Sequence, residues 1–232
     1  MKILVIGATG PTGLLIISEA LARGYDVIAL IRSPVKMTMM HPKLKVVQAD
    51  ILKSEYVVQA DILKSEDVAK NLKGCDAVLS AVGSRAGMMS HCDVYSKSGE
   101  AVVNAMRQTG VKRFIAITSW ATKDSSDVPF IWRWVVKPVF LFFMKNVLND
   151  MKILEDYLQK ECSDIDYTVV KPPSLTNNTS KGNKIIAKEG QYISSGQSAI
   201  SRQDVAKFML DHITHQGSFQ KLISVAISNE KN

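Results

Sequence analysis

The sequence predicts an α/β fold, a doubly wound parallel sheet in a single domain covering residues 1–232. Three observations carry that prediction. Short β-branched runs alternate with stretches of helical periodicity, the pattern that builds βαβ units. The first run, KILVI (2–6), empties into a glycine-rich turn, Gly7-Ala8-Thr9-Gly10-Pro11-Thr12-Gly13, that opens a helix. A length of 232 residues with 46% hydrophobic and 22% charged content suits one ordinary globular domain, neither disordered nor fibrous.

The elements follow in order. LLIISEALARG (14–24) has helical periodicity and a terminal glycine, and YDVIALI (25–31) is again β-branched. VLSAV (78–82) reads as a strand, GEAVVNAMRQTG (99–110) as a helix and RFIAITS (113–119) as a strand. LNDMKILEDYLQKE (148–161) is a helix, and DYTVV (166–170) is a strand stopped by Pro172 and Pro173. The right-handed crossover rule makes the doubly wound sheet the first choice for such a chain.

One stretch interrupts the alternation. VVQADILKSE occurs twice, at 46–55 and 57–66, separated by Tyr56. Two copies, each too short for a supersecondary unit, do not make a solenoid. The duplication at 46–66 is an insertion into the α/β domain, with one copy supplying strand three. The run HPKLKVV leads naturally into the first copy, whereas Asp61-Ile62-Leu63 runs straight into the following helix and strand. Surplus residues ahead of the strand lengthen a loop at little entropic cost. Surplus residues after it emerge at the carboxyl end of the sheet, where ligands lie. The second copy, with Asp61, is therefore favoured over Asp50.

Between a strand and a helix, the glycine motif is the signature of a diphosphate cradle in a Rossmann-type fold. Gly7 permits the tight turn, Gly10 lets backbone approach the anion, and Gly13 lets helix and strand pack closely. Free N–H groups and the positive end of the helix dipole hold the charge. Strand two ends in Arg32, followed by Ser33 and Lys36. A carboxylate there would repel a ribose 2′-phosphate, whereas an arginine grips it, so NADP(H) is the expected cofactor.

GATGPTG, IRSPVK, an Asp-Ile-Leu after strand three, DAVLSAVGSR, IAITS and KPPSLT stand in an order that resembles the atypical short-chain dehydrogenase/reductases. Within their NmrA-like set, the chain is most similar to the biliverdin reductase B and NADPH-dependent flavin reductase group, over at least residues 2–210. The resemblance implies that Gly7, Thr9, Gly10, Pro11, Thr12 and Gly13 cradle the diphosphate. It implies that Arg32, Ser33 and Lys36 take the 2′-phosphate and that Asp61 with Ile62 borders the adenine. Ala81, Val82, Gly83 and Arg85 would line the cofactor at the end of strand four. Thr118 and Ser119 would lie beside the nicotinamide, and Pro172, Pro173 and Ser174 would close over its amide end. Ser174 stands where relatives often carry histidine, so the tetrapyrrole activity does not transfer automatically.

Many short-chain dehydrogenases use Tyr-x-x-x-Lys for proton transfer. The spelling Tyr167-Thr-Val-Val-Lys171 occurs, but in a strand, where residues four apart are separated by about 13 Å. Helical spacing is needed, so acid–base alcohol chemistry is disfavoured. The remaining chemistry is hydride transfer to a flat conjugated acceptor such as a flavin, quinone or tetrapyrrole, which delocalises the arriving charge. Ser119 is the candidate polar catalytic contact; its other reading is a hydroxyl capping the strand end. The segment 128–148, with two tryptophans, four phenylalanines and three basic residues, is a substrate wall led by Trp132 and Arg133, a membrane-surface element, or an ordinary buried helix with a proline-marked entry. A binding protein that senses NADP(H) without turnover would keep the same cradle.

Composition excludes other classes. The net charge of +7 comes from scattered basic residues, not a nucleic-acid-binding block. Three cysteines and four histidines show neither disulfide nor metal-ligand spacing, and no apolar run reaches the length of a membrane span. Cys92, flanked by His91 and Asp93, is a weak candidate for a reactive thiol. A cytoplasmic monomer acting on a small molecule is the expectation.

Overall fold

The computed structural model describes residues 1–31, 36–48, 68–84, 91–123, 137–190 and 192–229, with backbone alone at 137–141. Strands β1 (Lys2–Ile6), β2 (Asp26–Ile31), β3 (Leu44–Gln48), β4 (Ala77–Ser80), β5 (Arg113–Ile117), β6 (Asp166–Lys171), β8 (Ile185–Glu189) and β10 (Lys221–Ile227) form one sheet. Their order is β3-β2-β1-β4-β5-β6-β10-β8, parallel except for β8 against β10. Strands β7 (Ser174–Thr176) and β9 (Ala199–Ser201) pair separately. This is the Rossmann-type doubly wound sheet. The strand order reverses between β1 and β4, so a crevice must open above their carboxyl ends.

Helices cover both faces. Helices α1 (Pro11–Ala22) and α5 (Arg202–Asp211) pack on one, where Ile3, Val5, Ile16, Ile17, Val205 and Met209 are buried together. The opposite face carries α2 (68–72), α3 (Val94–Thr109) and α4 (Lys137–Glu161), with Leu4, Leu72, Val102, Met106, Leu154 and Leu158. Central strands β1, β4 and β5 read as continuous apolar runs because both faces are covered. Helix α3 approaches α4 closely at Gly99, where an added Cβ would lie 2.2 Å from a methyl of Leu154.

Two expectations are corrected. Strand three comes from the first copy of the duplication: Val46, Val47 and Gln48 pair with Ala29, Leu30 and Ile31. The register is set upstream, where Val27 N–H donates to the Lys43 carbonyl (2.8 Å) and Lys43 Nζ donates to the Gly24 carbonyl (2.8 Å). HPKLK is thereby fixed against the start of β2, and Val46 is carried opposite Ala29. Asp50, Asp61 and Ile62 lie outside the described residues. Helix α4 begins at Lys137, eleven residues before the start predicted at 148, with Pro138 in the first turn where its missing N–H is tolerated. Phe142 and Phe143 face outward, 69% and 39% exposed, while Leu148, Met151 and Leu154 are buried. From Phe142 onward, 128–148 is therefore neither wholly core nor wholly surface.

Among the described residues no helix is long and apolar enough to cross a membrane. None of their His, Cys, Asp and Glu side chains cluster in a way that would hold a metal ion.

Candidate functional site

The crevice over β1 and β4 is a cavity of about 400 Å³. Its floor is the glycine turn. Gly7 adopts φ +71°, and a Cβ there would sit 2.4 Å from the Ala81 carbonyl oxygen, so turn and strand four touch backbone to backbone. The Gly10 N–H donates to the Gly7 carbonyl (2.9 Å), closing the turn, and α1 starts at Pro11. Gly10, the N-cap, supplies no side-chain acceptor, and the first turn of α1 has no acidic residue. Its N–H groups therefore remain available to an anion. No carboxylate lines the cavity among the described residues. The donor set fits a dinucleotide diphosphate.

Gly7, Thr9, Gly10, Pro11, Thr12, Ala81, Val82, Gly83 and Thr118 all line this cavity, as the sequence predicts. Gly13 stands behind it: an added Cβ would lie 2.3 Å from the Gly7 carbonyl oxygen, so this glycine serves helix–strand contact. Lys36 is exposed and outside the described lining. Arg32, Ser33, Arg85, Trp132 and Arg133 lie outside the described residues.

Tyr95 lines the far side, and Asp150 holds the start of its helix. The Ser84 N–H donates to the Tyr95 hydroxyl (3.3 Å), and burial pushes that phenol up to about 12. Asp150, on α4, accepts from the backbone N–H groups of Tyr95 (2.7 Å) and Ser96 (3.2 Å) and from the Ser96 hydroxyl. It therefore caps α3 from a neighbouring helix, because Asp93 makes no side-chain cap. Cys92 is buried beside Asp150 and burial raises its thiol, which argues against a reactive cysteine.

Beneath Thr118 lies a sealed polar group that the sequence did not reveal. Lys171 and Glu155 are both fully buried, with Nζ 2.9 Å from Oε2. Thr118 Oγ1 donates to Glu155 Oε1 (2.6 Å), Thr122 Oγ1 lies within 3.0 Å of both carboxylate oxygens, and Lys171 Nζ donates to Thr122 Oγ1 (2.8 Å). Burial lowers the Lys171 pKa, and the Glu155 carboxylate opposes that shift. The Lys171 ammonium is consumed by this cluster. Tyr167 lies at the other end of the same strand, buried with Leu158 and Cys162, so the two do not form a catalytic couple.

A second cavity, of about 670 Å³, adjoins the first and shares Thr118, Leu175 and Arg202 with it. Its lining is largely apolar: Trp120 and Tyr192 stand 5.0 Å apart at 53° on the wall, with Pro172, Pro173, Ile193 and Val225 nearby. Ser119 lines this cavity, and its Oγ accepts from the Ala121 N–H (3.2 Å), capping the 3-10 turn Trp120–Thr122. The hydroxyl proton is left to donate elsewhere. Pro172, Pro173 and Ser174 border the second cavity and not the first, because β6 ends at Lys171 and the chain crosses toward β7.

Sequence reading missed Trp120, Tyr192 and Arg202. Only Arg202 had a local signal: Ser201-Arg-Gln-Asp204 is a capping pattern, and the Asp204 N–H donates to Ser201 Oγ (3.0 Å). The two aromatic residues come from segments 72 positions apart, and only the fold joins them.

The NAD(P)H-binding family profile matches residues 7–216, beginning at the first glycine of the cradle. The chain belongs to this NAD(P)H-binding family. An uncharacterized chloroplastic protein of Arabidopsis thaliana is 27% identical, covering 99% of this chain and 78% of its own length. The divinyl chlorophyllide a 8-vinyl-reductase of the same plant is 26% identical over 97% of this chain, which spans 53% of that reductase. Among solved structures, the oxidoreductase ylbE of Lactococcus lactis superposes with a TM-score of 0.74 over 98% of this chain and 91% of its own, at 22% identity. The chain thus joins a Rossmann-type fold to the NAD(P)H-binding family's sequence profile.

Proposed function

We propose that the protein is an NADPH-dependent reductase that passes hydride to a flat conjugated acceptor: a flavin, a quinone or a tetrapyrrole-like molecule. The observation that carries this is the apolar cavity walled by Trp120 and Tyr192, which opens onto the cofactor cradle at Thr118. Aromatic walls suit a planar π-system, and about 670 Å³ is ample for one. The reductase relative acts on a chlorophyllide, a conjugated tetrapyrrole, which suits the same class of acceptor.

When bound, the nicotinamide supplies the hydride. The chain's own residues then hold and orient. The glycine turn and the first N–H groups of α1 grip the diphosphate, and Thr118, locked onto Glu155, fixes the floor between the cavities. Ser119 Oγ offers a hydrogen-bond donor at the mouth of the second cavity. With Lys171 committed to Glu155, the described residues of this floor offer no tyrosine–lysine acid, and in this reading the acceptor stabilises its own charge and takes its proton from water. Arg32, with Ser33 and Lys36, selects the 2′-phosphate in this reading. Three buried free thiols suit a reducing compartment such as the cytoplasm.

The test is titration with NADPH and NADH, followed by NADPH oxidation with FMN and with biliverdin. NADPH binds more tightly than NADH, Arg32→Asp reverses that preference, and at least one acceptor turns over. Tight NADPH binding with no turnover on any planar acceptor would replace the reductase with a cofactor-sensing protein.

A further inference from the structure

The wall shared by the two cavities carries one charge without a counter-charge. Arg202 is the first residue of α5, directly after β9, and is half-buried. Its Nη1 donates to the Leu175 carbonyl (3.2 Å) and to Asn177 Oδ1 (2.7 Å), both neutral acceptors. Among the described residues no carboxylate pairs with it, and its Nε and Nη2 hydrogens have no acceptor. The neighbouring acid, Asp204, is turned away and occupied by Ser180 and Ser201. Lys171, the other basic residue along the second cavity, is fully buried and neutralised by Glu155. Among the described residues, the apolar chamber thus presents one oriented guanidinium without a counter-charge.

A half-buried cation left without a counter-charge costs desolvation free energy, and a bound anion recovers it. The two neutral contacts fix the guanidinium in place without satisfying its charge. A fork with free N–H groups matches a carboxylate or phosphate in bidentate geometry. Resting on the reductase reading of the same cavity, we infer that Arg202 is a specificity-determining residue. It receives an anionic group, carboxylate or phosphate, carried by the planar acceptor, while the conjugated part lies against Trp120 and Tyr192.

FMN and riboflavin share one ring system and differ by a phosphate, so they isolate the charge. Binding is read from quenching of flavin fluorescence by the full-length, NADP⁺-loaded protein, in the wild type, Arg202→Gln and Arg202→Lys. NADPH affinity and NADPH oxidation are measured in parallel. The wild type binds FMN at least about ten-fold more tightly than riboflavin, the scale of one charge-assisted contact. Arg202→Gln brings that ratio to within about two-fold of unity, and Arg202→Lys keeps part of it.

Equal affinity for the two flavins in the wild type overturns the inference, as does failure to bind FMN. Equal weakening of both flavins by Arg202→Gln reduces the residue to a structural role and also overturns it. A loss of NADPH affinity as large as the loss for FMN assigns the cation to the cofactor instead. An FMN preference that depends on Arg202, without turnover of either flavin or of any other planar acceptor, upholds the anion subsite and sinks the hydride-transfer reading alone.

Discussion

A methyl group added at Gly10 meets little protein: its nearest neighbours are the Gly7 carbonyl oxygen at 3.2 Å and the Ala81 carbonyl oxygen at 3.9 Å. At Gly7 the same methyl would lie 2.4 Å from the Ala81 carbonyl oxygen, on a residue held at φ +71°. Folding and binding therefore separate between two glycines of one motif. Gly10→Ala is expected to leave the urea midpoint nearly unchanged while weakening NADPH about ten-fold or more, because the methyl occupies the diphosphate's place. Gly7→Ala is expected to cost roughly 2 kcal/mol or more of stability, read from urea unfolding. The buried Lys171–Glu155 pair makes a second residue-scale prediction. Glu155→Gln or Lys171→Met alone strands the other charge and costs roughly 3–5 kcal/mol, whereas the double variant loses less than the sum. A double-mutant cycle by chemical unfolding measures the difference.

Helices α3 and α4 are bound to each other at both ends. Asp150 caps the start of α3, and Arg107 near its end donates to Asp164 (2.8 Å and 3.0 Å) and to the Glu161 carbonyl (2.7 Å). The Arg107 guanidinium holds the Asp164 carboxyl down to about 2 from the ordinary 3.8. A depressed folded value means that the unfolded state binds the proton first as pH falls. The contribution of Asp164 is thus fully present above about pH 4 and disappears as pH drops through about 2. The pair is exposed and screened, so its size stays below about 1 kcal/mol. Asp164→Asn should lower stability by that amount at pH 7 and hardly at all near pH 2, measured by unfolding at both pH values. The elements were legible where local signals were strong. β1, β2, β5 and β6 lie within a residue or two of their predicted bounds, because short apolar, β-branched runs closed by glycine, proline or a polar residue admit few alternatives. A helix entered at a proline is one of three readings of 128–148, and α4 does begin at Lys137-Pro138. A tryptophan- and phenylalanine-rich run, however, has no clean 3.6-residue period to single that reading out.

For the whole molecule, the duplication is the test of how much surplus chain the fold tolerates. Strand three is complete with the first copy, so deleting residues 56–66 rejoins VVQADILKSE directly to DVAKNLKGCDAV. The connection shortens by eleven residues, worth under about 1 kcal/mol of closure entropy. The deletion is expected to fold with an equal or slightly higher melting temperature and to bind NADPH at least as tightly as the full chain. Thermal melts and the NADPH titration check it, and a deletion variant that fails to fold would mean the second copy has acquired a structural role.

Local chemistry alone determined strands β1, β2, β4, β5 and β6, the cradle and the NAD(P)H-binding family. Glycine spacing, strand-ending prolines and apolar periodicity act within a dozen residues, and each can be read where it stands. What only tertiary structure decided is everything built from distant segments. Which copy forms β3 depended on the grip of Lys43 on Gly24 across the sheet edge. The acceptor chamber depended on bringing Trp120, Tyr192 and Arg202 together, and the sealed floor on Lys171 meeting Glu155 from the helix packed above it. No residue in those sets has a neighbour in sequence that announces its partner. The sheet's crossover connections bring them together, and burial then sets how strongly their charges act.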